Sequence, residues 1–221
     1  MKHLRNERGN GMVYILWIMV VSIAICVIVL NFAKVYAVKQ QAATATQQAA
    51  LAGTSVLVNA AKDAVKDFDT RSGDLEVIAQ RALQRVADGG KSIEDLVDEK
   101  AREYRYQGVT KDIAYINAMN DILSPRMGTY GSFKSLVNDQ VNLANGDFTQ
   151  TVRDVVKKNG GNEERIEVAF TSDFRVEVKA DVTFDSITDS AEKYIQKITK
   201  EVPQKGYGPS LLFLRGVSTD G

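Results

Sequence analysis

An uninterrupted apolar run from Met12 to Ala33 constrains this chain more than any other feature of its sequence. The run holds no charged residue and consists mostly of valine, isoleucine, leucine and methionine. A membrane's hydrocarbon core is about 30 Å thick, and on the order of 20 apolar residues cross it as an α-helix. The sequence therefore predicts a transmembrane helix over residues 12–33.

The charges before the run predict its orientation. Three basic residues and a single acid, Glu7, precede it, and basic flanking residues stay on the cytoplasmic side of a membrane. We expect a single-pass protein of the cell membrane, with residues 1–11 as a cytoplasmic tail and everything after Ala33 outside the cytoplasm. A cleaved secretory signal is the alternative, but its apolar region is only about 7 to 15 residues long and ends at a small-residue cleavage site.

The composition of the remaining chain argues against several classes of function. Beyond the tail there are 25 Lys and Arg residues against 27 Asp and Glu residues, and no basic cluster, which argues against nucleic acid as a partner. Cys26 is the only cysteine and lies inside the apolar run, so no disulfide can form within the chain. His3 is the only histidine and lies in the tail, so the outer domain lacks the commonest metal ligand and general base.

No motif for catalysis or metal binding is present in the sequence. Carboxylate pairs such as Glu163 and Glu164 are the only catalytic candidates, and solvated pairs are the alternative interpretation. Asp67, Asp69 and Asp74 suggest calcium, but their spacing does not match a calcium-binding loop. We therefore expect no catalytic residue, no metal and no cofactor.

The chain from residue 34 to residue 68 predicts a membrane-proximal, alanine-rich helix that continues out of the membrane. It contains no proline and a single glycine, Gly53. Small and β-branched residues recur at alternating steps of three and four; this helix-packing stripe is Val35, Val38, Ala42, Ala45, Ala49, Ala52 and Val56. Small side chains let a helix or sheet approach closely, and a helix-favouring spacer is the alternative. A bulkier second stripe is predicted to dock on the globular part; it consists of Leu51, Val58, Val65 and Phe68.

The first quarter of the chain resembles a known family. The tail sequence RGNG, the apolar run and the downstream AVKQQAATATQQAALAG are similar to the N-terminal region of the TadE/TadG-like proteins, which accompany tight-adherence (Flp) pili in bacteria. Tyr36 matches the family's aromatic position and residues 49–53 match its closing AALAG, while Asn31 and Gln47 stand where the family usually carries acids.

The resemblance implies a non-enzymatic, membrane-anchored structural or assembly component of a Tad-like pilus or a related secretion apparatus. Its partners would be membrane lipid and other pilus or secretion proteins, with an oligomer through the N-terminal helix as a further option. A membrane-anchored binding or sensor module, whose outer domain recognises a small molecule or a cell-wall fragment, is the alternative.

Residues 69–221 predict one extracytoplasmic globular domain of α+β class, helix-predominant, with a C-terminal antiparallel hairpin. Helical spacing predicts successive helices from residue 75 to residue 158, ended in one case by Pro125. The first of them is expected to bury an apolar face that consists of Leu75, Ile78, Ala79, Ala82, Leu83 and Val86. Ser92 and Asp95 predict a capping box, and Thr110 predicts another cap.

Near the C-terminus the spacing of the apolar residues changes from helical to alternating. Alternating residues over 166–170 and 174–184 predict two strands joined at Ser172 and Asp173. A last helix is expected over 188–198, and the SLLFL sequence is expected to add a short edge strand.

Overall fold

The computed structural model describes residues 8–160, 166–183 and 201–217. The helices are α1 Arg8–Thr70, α2 Leu75–Ala87, α3 Ile93–Tyr106, α4 Lys111–Thr129, α5 Gly131–Leu143 and α6 Asn145–Lys158. The strands are β1 Glu167–Phe170, β2 Arg175–Thr183 and β3 Glu201–Ser210, and a short 3₁₀ helix, Leu212–Gly216, follows. The described part of the chain is helix-predominant with a small antiparallel sheet, as the sequence predicts.

Helix α1 is a continuous helix of 63 residues, which corresponds to about 95 Å. Its first part contacts little: the large apolar side chains from Met12 to Leu30 are between 36% and 77% exposed. Beyond Ala42 the same helix becomes the centre of the folded domain, and Ala42, Ala45 and Ala49 have no exposed surface. One helix therefore has a bare apolar half and a buried half.

Helix α6 packs antiparallel to the buried half of α1. Gly53 of α1 faces Phe148 and Val152 of α6, where an added Cβ would lie 2.8 Å from the Phe148 ring. Asn159 directly follows α6, eleven residues after Phe148. The Gln41 side chain of α1 donates a hydrogen bond to the Asn159 carbonyl at 2.9 Å. The carboxyl end of α6 therefore lies toward the apolar half of α1.

The far end of α1 is held by aromatic packing. Phe68 is fully buried, and its ring centroid lies 5.1 Å from that of Phe133 on α5 and 6.4 Å from that of Tyr130. Val65 is also buried, so this part of the bulkier second stripe docks on the domain as predicted.

The sheet has the order β1-β2-β3, and both pairs are antiparallel. Phe170 pairs with Val176 across the turn, which confirms the predicted hairpin. Val176, Val178 and Ala180 of β2 are buried, whereas Phe170 of β1 remains 41% exposed. The buried face of the hairpin is therefore supplied mainly by β2.

Strand β3 was not predicted, because its prolines and glycines are typical of a broken tail. The glycines instead allow β3 to touch α1: a Cβ at Gly206 would lie 2.2 Å from the Thr46 carbonyl oxygen, and one at Gly208 would lie 2.1 Å from Thr54 Oγ1. The SLLFL sequence does not form the expected edge strand. Its last three residues begin the 3₁₀ helix, in which Phe213 and Leu214 are buried.

The prediction of which face of α2 is buried is wrong. Leu75, Leu83 and Val86 are 85%, 65% and 83% exposed, while Val77 and Gln84 are buried. The reason is that the polar side of α2 bonds to the domain. These bonds run from Arg81 to the carbonyls of Phe68 and Arg71, from Gln84 to the Lys91 carbonyl, and from the Ser132 amide to Gln80.

Two predictions about helix ends have different outcomes. The capping box of α3 is confirmed, since Asp95 N–H donates to Ser92 Oγ at 3.1 Å and Ser92 N–H donates to the Asp95 carboxylate at 3.1 Å. Helix α4 does not end at Pro125 but continues to Thr129. Pro125 lies on the exposed side of α4, where water can bond the carbonyl left without a donor, while Met127 remains buried on the other side. The helix predicted over 188–198 lies outside the described residues.

Candidate functional site

The described residues contain no group of three or more His, Cys, Asp or Glu side chains that could hold a metal ion. The three aspartates considered for calcium each have another partner. Asp67 pairs with Arg71 at 2.8 Å, and Asp74 accepts a hydrogen bond from the Glu76 N–H at 2.9 Å as the cap of α2. Asp69 accepts hydrogen bonds at the start of α3.

Asp69 joins the end of α1 to the start of α3. Its nearly buried carboxylate accepts hydrogen bonds from the backbone N–H groups of Ile93, at 3.3 Å, and Glu94, at 3.1 Å. Burial raises the pKa of the Asp69 carboxyl above its ordinary value, although the two hydrogen bonds act in the opposite direction. Asp74 and Asp69 therefore organise the starts of α2 and α3.

The helix-packing stripe lies partly inside the chain's own fold. Ala42, Ala45 and Ala49 are fully buried on the half of α1 that packs in the domain. The remaining members of the stripe are half-buried; they are Val35, Val38, Ala52 and Val56. Contact of this stripe with a partner helix stays a prediction, and its half-buried members are the positions where such contact can occur.

Two amide side chains bind backbone groups of β3 and of the 3₁₀ helix that follows it. Gln47 on α1 donates to the Tyr207 carbonyl at 2.9 Å and accepts from the Tyr207 N–H at 3.2 Å. Asn120 on α4 donates to the Ser210 carbonyl at 2.9 Å and accepts from the Phe213 N–H at 3.3 Å. Gln47 takes the place of a neighbouring strand at Tyr207, so these two groups of β3 are not free to pair with another chain, whereas Asn120 joins the end of β3 to the 3₁₀ helix.

This role of Gln47 and Asn120 could not be predicted from the sequence. No local signal distinguishes them, because their partners lie 160 and 90 residues away along the chain. A carboxylate at position 47 could accept from the Tyr207 N–H but could not donate to the Tyr207 carbonyl.

A groove of about 710 Å³ lies between α1, α3 and α4. Its floor is apolar and consists of Leu51, Val58, Ala101, Ile113, Ile116 and Pro209. Its charged lining consists of Lys62, Arg102, Arg105 and Lys111 together with Asp98 and Asp112. Leu51 is 46% exposed and Ile113 is 38% exposed, so the floor is accessible from outside.

Tyr115 forms part of the groove wall. Burial, followed by the nearby carboxylates of Asp98 and Glu94, raises the pKa of its hydroxyl to about 12, so the hydroxyl is neutral at physiological pH. The Lys62 ammonium lies 5.9 Å from the centre of its ring. In the sequence, the groove is indicated only by the pair Arg102 and Arg105, three residues apart on one helix.

Comparison with known proteins gives one match. Residues 9–62 match the family model of the TadE/G-like Flp pilus-assembly proteins, which confirms the resemblance seen in the sequence. The match covers about a quarter of the chain and includes both the bare apolar half of α1 and most of its buried half. Neither a curated protein nor a solved structure matches the chain.

Proposed function

We propose that this chain is a non-enzymatic, membrane-anchored component of a Tad-like pilus or a related secretion apparatus, and that it acts through protein contacts. One observation carries the proposal. The TadE/G-like match spans a single continuous helix that is bare and apolar in its first half and buried in a folded domain in its second. The pilus role comes from the match, and the anchoring role comes from the two halves of the helix.

The bare half of α1 supports the anchoring role. Soluble monomers rarely expose contiguous apolar patches larger than a few hundred Å², whereas here 16 large apolar side chains between Met12 and Leu30 are exposed. The helix is long and apolar enough to cross a membrane. In the proposed arrangement residues 12–33 lie in lipid, residues 1–11 face the cytoplasm, and residues 34–221 lie outside it.

Continuity of α1 gives the anchor a mechanical role as well. Ala42, the first described residue of α1 with no exposed surface, lies nine residues beyond Ala33, which is about 13 Å along the helix axis. Because no turn or break separates the two parts, the domain is held close to the membrane in a fixed direction. Such a subunit presents its outer surfaces to neighbouring assembly proteins at a defined height.

Deleting the gene in its native host tests this role. We expect the deletion to remove pili and surface adhesion, and the full chain supplied in trans to restore both. A matched variant, with residues 1–33 replaced by a cleavable secretory signal, exports the same domain without an anchor and is expected not to restore them. Piliation that persists in the deletion strain would contradict the proposal, as would full rescue by the unanchored variant.

A further inference from the structure

We propose that the groove between α1, α3 and α4 binds an acidic amphipathic helix of a partner protein. The inference deepens the proposed function, because it rests on that function for the role of protein contacts and adds the chemistry of one partner. It is carried by the shape of the groove, by its apolar floor and by an excess of basic side chains around that floor.

The dimensions of the groove fit a helix. Leu51, Val58 and Lys62 of α1 follow one another at helical spacing and line one side of the groove over about 16 Å, or three turns. Ala101 of α3 and Ile116 of α4 line the opposite side and are nearly buried. An amphipathic helix placed between the two sides would bury its apolar face on the apolar floor, which is now partly exposed.

The charges of the groove favour an acidic occupant. Four basic side chains line it against two acidic ones. Among the described residues Arg102, Arg105 and Lys111 form no salt bridge, whereas nearby Lys100 on the other side of α3 pairs with Glu103 at 2.7 Å. The cations that face the groove are therefore available to a partner's carboxylates.

The start of α4 adds to this positive field. Helix α4 begins at Lys111, inside the groove lining, and the Thr110 side chain makes no capping hydrogen bond to it. The amino end of a helix carries a partial positive charge and unpaired N–H groups, which favour a nearby carboxylate. Asp112 offsets part of this field, and the net balance of the lining remains basic.

A second copy of this chain complements the groove less well. The exposed apolar face of α2 is the available helical surface, and it is flanked by both Glu76 and Arg85. Such a surface of mixed charge lacks the excess of acidic side chains that would complement the basic groove. The test below nevertheless treats self-association as an outcome that overturns the proposal.

Two synthetic peptides test the charge preference directly. Both are helical, about four turns long, and carry leucine at the same apolar positions, but one has glutamate and the other lysine at the remaining positions. With the full chain in phosphatidylcholine nanodiscs, we expect the acidic peptide to bind at least about tenfold more tightly than the basic one, as measured by fluorescence anisotropy. Equal binding of the two peptides would overturn the proposal.

Charge reversal in the groove supplies the matched comparison. The variant Arg102→Glu/Arg105→Glu is expected to abolish or invert the preference. Lys66→Glu/Arg153→Glu makes the same change of charge at exposed positions outside the groove and is expected to leave the preference intact. An equal loss in both variants would show a general charge effect and overturn the proposal; unchanged thermal unfolding of both confirms that they fold.

A photo-crosslinking amino acid at position 113 locates the partner in cells. We expect an adduct that maps to an acidic helical segment of another protein and that is lost in the Arg102→Glu/Arg105→Glu background. The proposal would be overturned by an adduct with a second copy of this chain, by an adduct with a segment that is not acidic, or by the absence of any protein adduct. These outcomes are independent of the deletion experiment, so loss of pili in the deletion strain together with failed peptide binding would refute only the groove.

Discussion

Gly206 shows how a single residue decides whether the sheet can lie on α1. A Cβ at this position would lie 2.2 Å from the Thr46 carbonyl carbon and oxygen and 2.3 Å from the Gln47 nitrogen. These are backbone atoms of a long helix, so they cannot rotate away as a side chain could. Next to them, the Gln47 amide pairs with the backbone of Tyr207. The absence of a side chain and the presence of an amide together bring β3 to α1.

We expect Gly206→Ala to lower the free energy of unfolding by about 2–3 kcal/mol, because the strand must shift away from the helix. Gly128→Ala is the control: it lies in α4 with no atom within 4 Å of the added Cβ, and alanine there is expected to be neutral or to stabilise by up to about 1 kcal/mol. Chemical unfolding of the full chain in detergent measures both. Equal stability of the two variants would contradict the close contact of β3 with α1.

At the scale of elements, polar contacts join the buried Val77 in attaching α2 to the domain. The helix ends at Ala87, and Asp88 beyond it accepts hydrogen bonds from Arg126 of α4 at 2.6 and 3.1 Å and from Gln84 at 2.7 Å. The side chains of Asp88 and Arg126 are only 19% and 16% exposed. A shielded ion pair thus joins the end of α2 to α4, while the apolar side of α2 faces outward.

This ion pair makes part of the stability depend on pH. Burial acts to raise the pKa of Asp88, but the hydrogen bonds from Arg126 and Gln84 outweigh it, so the pKa lies below its ordinary value. A carboxyl whose pKa is lowered by folding stabilises the fold above its ordinary pKa, and this contribution is lost as the pH falls through the folded value.

We therefore expect Asp88→Asn to cost about 1–2 kcal/mol at neutral pH and progressively less as the pH falls below the ordinary pKa of an aspartate. Denaturation over a series of pH values measures the difference. Asp139→Asn, at an exposed position on α5, is the control and is expected to change stability by less than about 0.5 kcal/mol. A cost for Asp88→Asn that stays constant down to acid pH would contradict the role of the charge.

The elements divide into those that local sequence determines and those that distant contacts determine. The apolar run, the Ser92–Asp95 capping box and the hairpin at Ser172 follow from residues close together in the chain, and all three were predictable.

Strand β3 was not predictable, because its glycines are explained only by contact with α1, some 160 residues away. The orientation of α2 was not predictable either, because its polar side chains bond to groups on other elements. The groove likewise requires three helices to meet before its charges form one surface.

At the scale of the whole molecule, α1 connects a region suited to lipid with a folded domain, and no break lies between them. In the proposed function, the apolar half is the membrane anchor. The buried half holds the folded domain close to that anchor. The TadE/G-like match covers both halves, which places the chain's resemblance to pilus-assembly proteins in this helix. The domain beyond residue 69 then supplies the surfaces, among them the basic groove, through which such a component would meet its partners.

The native cysteine offers the most direct measurement of this arrangement. Cys26 is exposed in the isolated chain, so the proposed insertion into lipid would be what shields it from a membrane-impermeant maleimide. In intact spheroplasts we expect no labelling of Cys26 and full labelling of Cys26→Ser/Ser135→Cys, whose new thiol lies on the outer surface of α5. Labelling of Cys26, or labelling of the cysteine at position 135 only after the membrane is broken, would contradict the account of a membrane anchor with its domain outside the cytoplasm.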